Sequence, residues 1–342
     1  MPLDRDKVMA ALRSIRDPEA GKDIISAGRV KDVRLDGDIV WIAVEAIPGT
    51  EAGAQRALEG LLKDIGASEV EVQVITVPAK PAPTGPLPQV RNVIAVGAGK
   101  GGVGKSTIAV NLAVGLQRLG HAVGFMDGDI YGPSAPTLLH LKGIAPNVRG
   151  SKILPHYVHG IHAVTIGSLV EQDKPLIWRG PMAHGAFKQL LTDNTDWPDL
   201  DYLIVDLPPG TGDVALTLCQ TLQLTGAVVV VTPQQVAVDD AIRAVRMFQQ
   251  LGTPVLGIVE NMTGDLFGSG GGERMAQSLN LPLLGSIPAT RELREHSDAG
   301  TPTRNFESNP SLRQSLESLT QSLIRAVDTR NATKNGPELT IT

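Results

Sequence analysis

Lys105, Ser106 and Thr107 close the run Gly99-Lys100-Gly101-Gly102-Val103-Gly104-Lys105-Ser106-Thr107, which fits the spacing G-x-x-x-x-G-K-[ST]. That chemistry is polyphosphate binding. Glycines let successive backbone N–H groups face one anion, and the start of a helix adds its partial positive charge. Lys105 brings a point charge for the β- and γ-phosphates, and the Ser106 hydroxyl is placed to ligate Mg²⁺. The motif requires a strand before it and a helix behind it. Val93 to Val96 form an apolar run into the loop, and Ser106 to Leu119 alternate at helical spacing. Gly97-x-Gly99-x-x-Gly102 also fits a dinucleotide fingerprint, with Asp127 as the ribose-binding acid. That alternative leaves Lys105 and Ser106 without a purpose.

Two further segments carry acids to the same place. Asp127-Gly128-Asp129-Ile130-Tyr131-Gly132-Pro133-Ser134 follows the strand expected at Ala122 to Met126, and its two carboxylates can orient water and help hold a metal. Asp206-Leu207-Pro208-Pro209-Gly210-Thr211-Gly212-Asp213 follows the run Tyr202 to Val205, so Asp206 takes the Walker B position toward Mg²⁺. Gly210 can offer an N–H to the γ-phosphate, which would make this segment a nucleotide-dependent switch. Lys100 has no evident work inside its own loop. Either it points to solvent or it reaches phosphate held by another subunit.

With 342 residues, 42% hydrophobic and 20% charged, the chain can bury a full core in about two domains. A net charge of −5 without a Lys/Arg block, and only 3% aromatic residues, argue against a nucleic-acid surface. No apolar run reaches membrane-span length and Met1 to Asp6 lacks the apolar core of a signal peptide, so a cytoplasmic protein without a membrane partner is expected. One cysteine, Cys219, excludes an internal disulfide or a Cys-x-x-Cys motif.

Pro78, Pro81, Pro83, Pro86 and Pro88 mark an extended linker over 78–90. Before it, residues 1–77 read as a small α/β domain: a helical face of Val8, Leu12 and Ile15, a strand at Ile39 to Val44, a helix with Leu58, Leu61, Leu62 and Ile65, and a strand at Val70 to Val77. After it, residues 91–327 carry apolar runs at 93–96, 122–126, 202–205, 227–231 and 255–259 with helical patterns between them. Such strands are buried on both faces, which predicts an α/β P-loop NTPase fold with a mostly parallel sheet flanked by helices. Leu312, Leu316, Leu319 and Leu323 form the stripe of a closing helix, and a disordered tail is expected over 328–342. Cys219 falls in a helical stretch, Val214 to Leu222, and reads as a core thiol. His156, His159 and His162 recur at every third residue, with His159-Gly160 suggesting a turn and unligated histidines.

The phosphate loop at 99–107, the segment 127–134, Trp178-Arg179-Gly180-Pro181-Met182 and the segment 206–213 together resemble the Mrp/ApbC iron–sulfur carrier ATPases, of the deviant Walker A class that includes MinD and ParA. Asp17-Pro18-Glu19 and its surroundings resemble the small SufT/PaaD-like domain. The resemblance implies an ATP-sandwiched homodimer with Lys100 acting across the interface, Asp129 activating water, and Asp127, Ser106 and Asp206 around Mg²⁺. Glu260-Asn261-Met262 also matches, and implies that Asn261 contacts adenine. It implies an iron–sulfur cargo too, with apoproteins or cluster-assembly proteins as partners. Cluster-carrying relatives place a Cys-x-x-Cys pair after the Asn-Met, whereas here Thr263-Gly264-Asp265-Leu266 separates Met262 from Phe267. Ile47-Pro48-Gly49-Thr50 likewise stands where relatives often carry a cysteine. Two readings remain: an ATPase serving cluster delivery, or a cluster-free ATP-dependent switch or scaffold regulating a protein partner.

Overall fold

The computed structural model describes residues 3–16, 23–26, 28–46, 51–76, 86–129, 132–165 and 194–334. Chain contacts divide it into two units, Met1–Ala82 and Pro83–Thr342. In the first, α1 (Arg5–Leu12), β1 (Val30–Asp36), β2 (Ile39–Ala46), α2 (Glu51–Asp64) and β3 (Glu69–Thr76) follow in order. The Asp4 carboxylate accepts the Lys7 N–H at 2.8 Å and caps α1. β1 and β2 form an antiparallel hairpin, and α2 crosses over to bring β3 parallel to β2. Val8, Leu12, Ile42, Leu58 and Leu62 fill the core beneath. The helix expected through Ile15 stops at Leu12, because the chain turns there and the Ile15 carbonyl accepts the Ile24 N–H at 3.0 Å.

The second unit runs β4 (Val90–Ala98), α3 (Lys105–Arg118), β5 (Val123–Asp127), α4 (Ala135–Leu138), β6 (Asn147–Arg149), β7 (Lys152–Leu154), β8 (His156–Val158), β9 (Ile161–Thr165), β10 (Leu200–Asp206), α5 (Asp213–Thr221), β11 (Gly226–Val231), α6 (Gln235–Gln250), β12 (Val255–Thr263), α7 (Gly271–Ser278), β13 (Leu283–Pro288), α8 (Arg291–Asp298) and α9 (Pro310–Lys334). Eight strands form one sheet in the order β13-β12-β11-β4-β10-β5-β9-β8, parallel throughout except for β8 against β9. Successive residues of β4 face opposite cores. Val93 and Ala95 pack with Ala241, Val245 and Phe248 of α6, while Ile94 and Val96 share a cluster with Ile108 and Leu112 of α3 and Leu316 and Leu319 of α9. Apolar burial on both faces explains why these strands read as unbroken hydrophobic runs.

Two expected boundaries shift. Leu87 is buried in the core and accepts the Val90 N–H at 3.0 Å, so residues 86–90 belong to this unit rather than to a spacer. The tail expected from Asp328 continues α9 to Lys334, because Asn331 Nδ2 donates to Asn92 Oδ1 at 3.0 Å and anchors the last turns after the apolar stripe ends at Val327. Residues 17–19, 47–50 and 178–182 lie outside the described residues.

Candidate nucleotide site

Three adjacent strands, β4, β10 and β5, end together, so their C-terminal residues meet at one edge of the sheet. Asp206 pairs in register with Val96 on one side and Asp127 on the other. The phosphate loop leaves β4 at this edge. Gly102 and Gly104 have φ of +81° and +80°, the left-handed turns that wrap the loop. α3 starts with no side-chain cap on its N–H groups, which leaves its positive end facing the loop. Gly99 has no room for a side chain, since a Cβ there would lie 2.1 Å from the Asp240 carbonyl carbon of α6.

Lys105 is buried and its Nζ donates to Asp206 Oδ1 at 2.5 Å, with Ser106 Oγ at 3.3 Å and Asp129 Oδ2 at 3.8 Å. Asp206 is fully buried, and that burial raises its pKa against the lowering pull of Lys105 and the Ser106 hydroxyl. Its Oδ2 has no hydrogen-bond partner among the described residues. An orphaned buried carboxylate oxygen beside a serine hydroxyl is a donor set that suits Mg²⁺, a hard cation taking oxygen ligands. Asp127 differs. Its Oδ1 accepts the Asp129 N–H at 3.1 Å and its Oδ2 accepts the Thr165 hydroxyl at 3.0 Å. Burial first, then the neighbouring Asp206 charge, push its pKa up to about 7. Asp127 therefore braces Asp129, whose own Oδ1 accepts the Gly132 N–H at 3.2 Å.

The remaining expected residues divide. Gly210 has φ of +85° and its N–H donates to the Ala98 carbonyl at 2.9 Å, so a phosphate contact requires that bond to open. Lys100 is half-buried and makes no ion pair among the described residues. Asn261 lies buried at the end of β12, and its Nδ2 donates to the Val103 carbonyl at 2.9 Å, propping the loop from below. Cys219 is buried in the core, and burial pushes its thiol up to about 12. The His159-Gly160 turn is present as expected, with His159 at φ of +51°. Among the described residues no group of three or more His, Cys, Asp or Glu is arranged to hold a metal ion.

Sequence reasoning missed Thr165, which closes β9, and an amide chain behind the loop. His296 Nδ1 lies 3.0 Å from Asn305 Oδ1, Asn305 Nδ2 donates to Asn111 Oδ1 at 2.9 Å, and Asn111 Nδ2 donates to the Thr107 carbonyl at 2.8 Å. Because Asn305 Oδ1 is the acceptor, His296 Nδ1 carries the proton. The only signal was two asparagines in apolar surroundings, which spacing alone does not pair.

Residues 89–324 match the family described as ParA: NUBPL iron-transfer P-loop NTPase, and residues 5–74 match the family described as iron-sulfur cluster assembly protein. A Synechocystis protein named iron-sulfur cluster carrier protein is 45% identical over 88% of this chain and 91% of its own length. One from Deinococcus radiodurans with the same name is 39% identical over 98% of this chain and 99% of its own. Among solved structures, a nucleotide-binding protein in complex with ADP from Archaeoglobus fulgidus is 35% identical with a TM-score of 0.57, covering 66% of this chain and 92% of that one. The MinD cell division ATPase of Pyrococcus furiosus, 21% identical over 68% of this chain and 98% of its own with a TM-score of 0.56, shares the fold. The chain belongs to the ParA/NUBPL family of iron-transfer P-loop NTPases.

Proposed function

We propose that the chain is a Mg²⁺-dependent ATPase acting in the transfer of iron–sulfur clusters to apoproteins. The observation that carries this is the convergence of the phosphate loop, Lys105, Asp129 and Asp206 at the ends of three neighbouring strands. Ser106 and Asp206 Oδ2 would hold Mg²⁺, with Asp127 nearby. The ion would neutralise charge on the transferring phosphate. Lys105 passes from Asp206 to the phosphates on binding. Asp129, fixed by Asp127 and by Gly132, orients the attacking water. Lys100 acts across a homodimer on the partner's phosphate, and release of the Gly210 N–H from Ala98 reports the γ-phosphate. Asp129→Asn should bind ATP and hydrolyse it slowly, with no turnover by the wild-type chain once Mg²⁺ is chelated. Full hydrolysis by Asp129→Asn would end this assignment.

The buried Cys219 and the cysteine-free loop at 263–267 favour a second reading, a cluster-free ATP switch acting on a protein partner. A [4Fe–4S] cargo is normally held by four thiolates, and one thiol per subunit supplies two in a dimer. Anaerobic reconstitution separates the two readings. Iron held only when a cysteine-bearing client is added supports delivery through the partner; no iron in either case supports the switch.

A further inference from the structure

The second unit carries a cleft of about 420 Å³ whose described lining includes none of the phosphate-site residues. Ligand pockets span about 300 to 1,000 Å³, so this space suits a small molecule. Two parts of the chain line it. β8 and the turn behind it bring His156, Tyr157 and His159, while the segment after α4 brings His140, Leu141 and Ile144, closed by Ala299 to Thr301 at the end of α8. The seam between them is tight. A Cβ on Gly300 would lie 2.7 Å from both the His140 nitrogen and the Thr137 carbonyl oxygen, so the cleft is formed before any ligand arrives. His140 and His159 stand in the left-handed region, at φ of +57° and +51°, and are two of the four non-glycine residues that do so among the described residues. Such conformations are unfavourable for a residue with a Cβ, and they gather where side chains are held for a site.

Three imidazoles and a phenol line the cleft, and no described carboxylate does. On α8 the carboxylates of Glu295 and Asp298 are bonded to Arg291 and Arg294, and the His296 ring is engaged with Asn305. Lys142 stands exposed on the His140 segment. Near neutral pH the charge this lining can gain is therefore positive. His159 Nε2 is buried without a hydrogen-bond partner among the described residues. Burial holds the pKa of His159 below the usual imidazole value, the carbonyls of Leu139 and Gly300 pull it up, and the His140 charge pulls it down again. An anion beside both rings offsets that repulsion. A metal ion is the other usual partner of clustered imidazoles, but no described group of three or more His, Cys, Asp or Glu is arranged for one. The rest of the lining is largely apolar, and Tyr157, 71% exposed, tilts against His162 of β9 with ring centroids 4.9 Å apart. We propose that this cleft binds a small organic acid, its carboxylate held by the imidazoles of His140 and His159 and its flat apolar body set against Leu141, Ile144 and Tyr157.

Nuclear magnetic resonance of the histidine-labelled full chain, titrated with sodium benzoate, tests it. Neutral benzamide supplies the body without the charge, and inorganic phosphate supplies charge without the body. At about pH 6 benzoate should shift imidazole signals saturably, with a Kd of about 1 mM or tighter. Benzamide and phosphate should each bind at least ~10-fold more weakly, the scale of one charge-assisted hydrogen bond or of the buried body. Benzoate affinity should fall by a similar factor at about pH 8, where imidazole is neutral. His140→Asn and His159→Asn test the placement, because asparagine tolerates left-handed backbone. Each should lose roughly 10-fold in benzoate affinity, a charge-assisted hydrogen bond removed, at unchanged melting temperature. Benzamide as tight as benzoate, or a benzoate affinity indifferent to pH, overturns the carboxylate contact. Phosphate matching benzoate means an adventitious ion only, and displacement of benzoate by ADP places it at the phosphate loop; either overturns the inference. So does the absence of a saturable shift, or binding undiminished in both variants.

Discussion

Asp127→Asn should stabilise the protein in the absence of nucleotide while impairing its chemistry. The carboxyl is fully buried between the Asp129 N–H and the Thr165 hydroxyl, one strand from Asp206, and its pKa stands at about 7 rather than 3.8. The folded state therefore holds a proton that the unfolded chain releases between pH 4 and pH 7, so stability falls as pH rises through that window. About three pK units at ~1.4 kcal/mol each bound the cost near 4 kcal/mol above pH 7, and at roughly 1 to 2 kcal/mol at pH 5. Asparagine removes the ionisation, keeps an oxygen for the Asp129 N–H and turns an amide toward the Thr165 oxygen. Calorimetry of the full chain with EDTA should then show the ATPase unit melting higher in the variant, by about 5 to 15 °C at pH 8 at a few degrees per kcal/mol. The gain at pH 5 should be clearly smaller. An equal gain at both values, or a loss that grows with pH, would refute the reasoning. ATP hydrolysis by the same variant should drop, because Asp127 braces Asp129.

Lys105→Ala leaves Asp206 buried without its cation, which should cost about 3 to 5 kcal/mol of stability along with ATP affinity; a variant of wild-type stability that still binds ATP would contradict the ion pair. Gly99→Ala drives a methyl into the Asp240 backbone, so stability should fall by at least ~1 to 3 kcal/mol and nucleotide binding with it; unchanged melting and ATP affinity would sink that account. Cys219 should resist a thiol reagent at pH 8 in the native protein and react once the chain is unfolded, since burial holds its pKa at about 12. Fast stoichiometric labelling of native protein is the contrary result.

The strands that build the site were legible because each is an apolar run stopped by a glycine or an aspartate. β4, β5 and β10 are buried on both faces, and in β5 and β10 the residue after the run is a carboxylate of the site, Asp127 and Asp206. Some strands with other surroundings were not. β6 is exposed throughout, and β1 alternates charge with apolar residues in a short stretch, so neither gives a continuous hydrophobic signal. The acids at 127, 129 and 206 could be placed at one edge from sequence, but not ranked. Only the geometry separates Asp206, with an orphaned oxygen, from Asp127, whose oxygens already serve Asp129 and Thr165.

The amide chain from His296 through Asn305 and Asn111 to Thr107 bears on where this chain can be cut. Its donors all point the same way, and they end on the carbonyl of a phosphate-loop residue. Asn305 is fully enclosed and Asn111 nearly so, hence neither can turn to water if the other is taken away. A chain ended near residue 300 would keep every residue of the loop and every strand of the sheet, yet strip the support from behind Thr107 and open the apolar face that α9 covers on α3. The minimal nucleotide-binding fragment therefore extends far past the last strand, and the C-terminal helix is part of the phosphate site's foundation rather than a detachable ending.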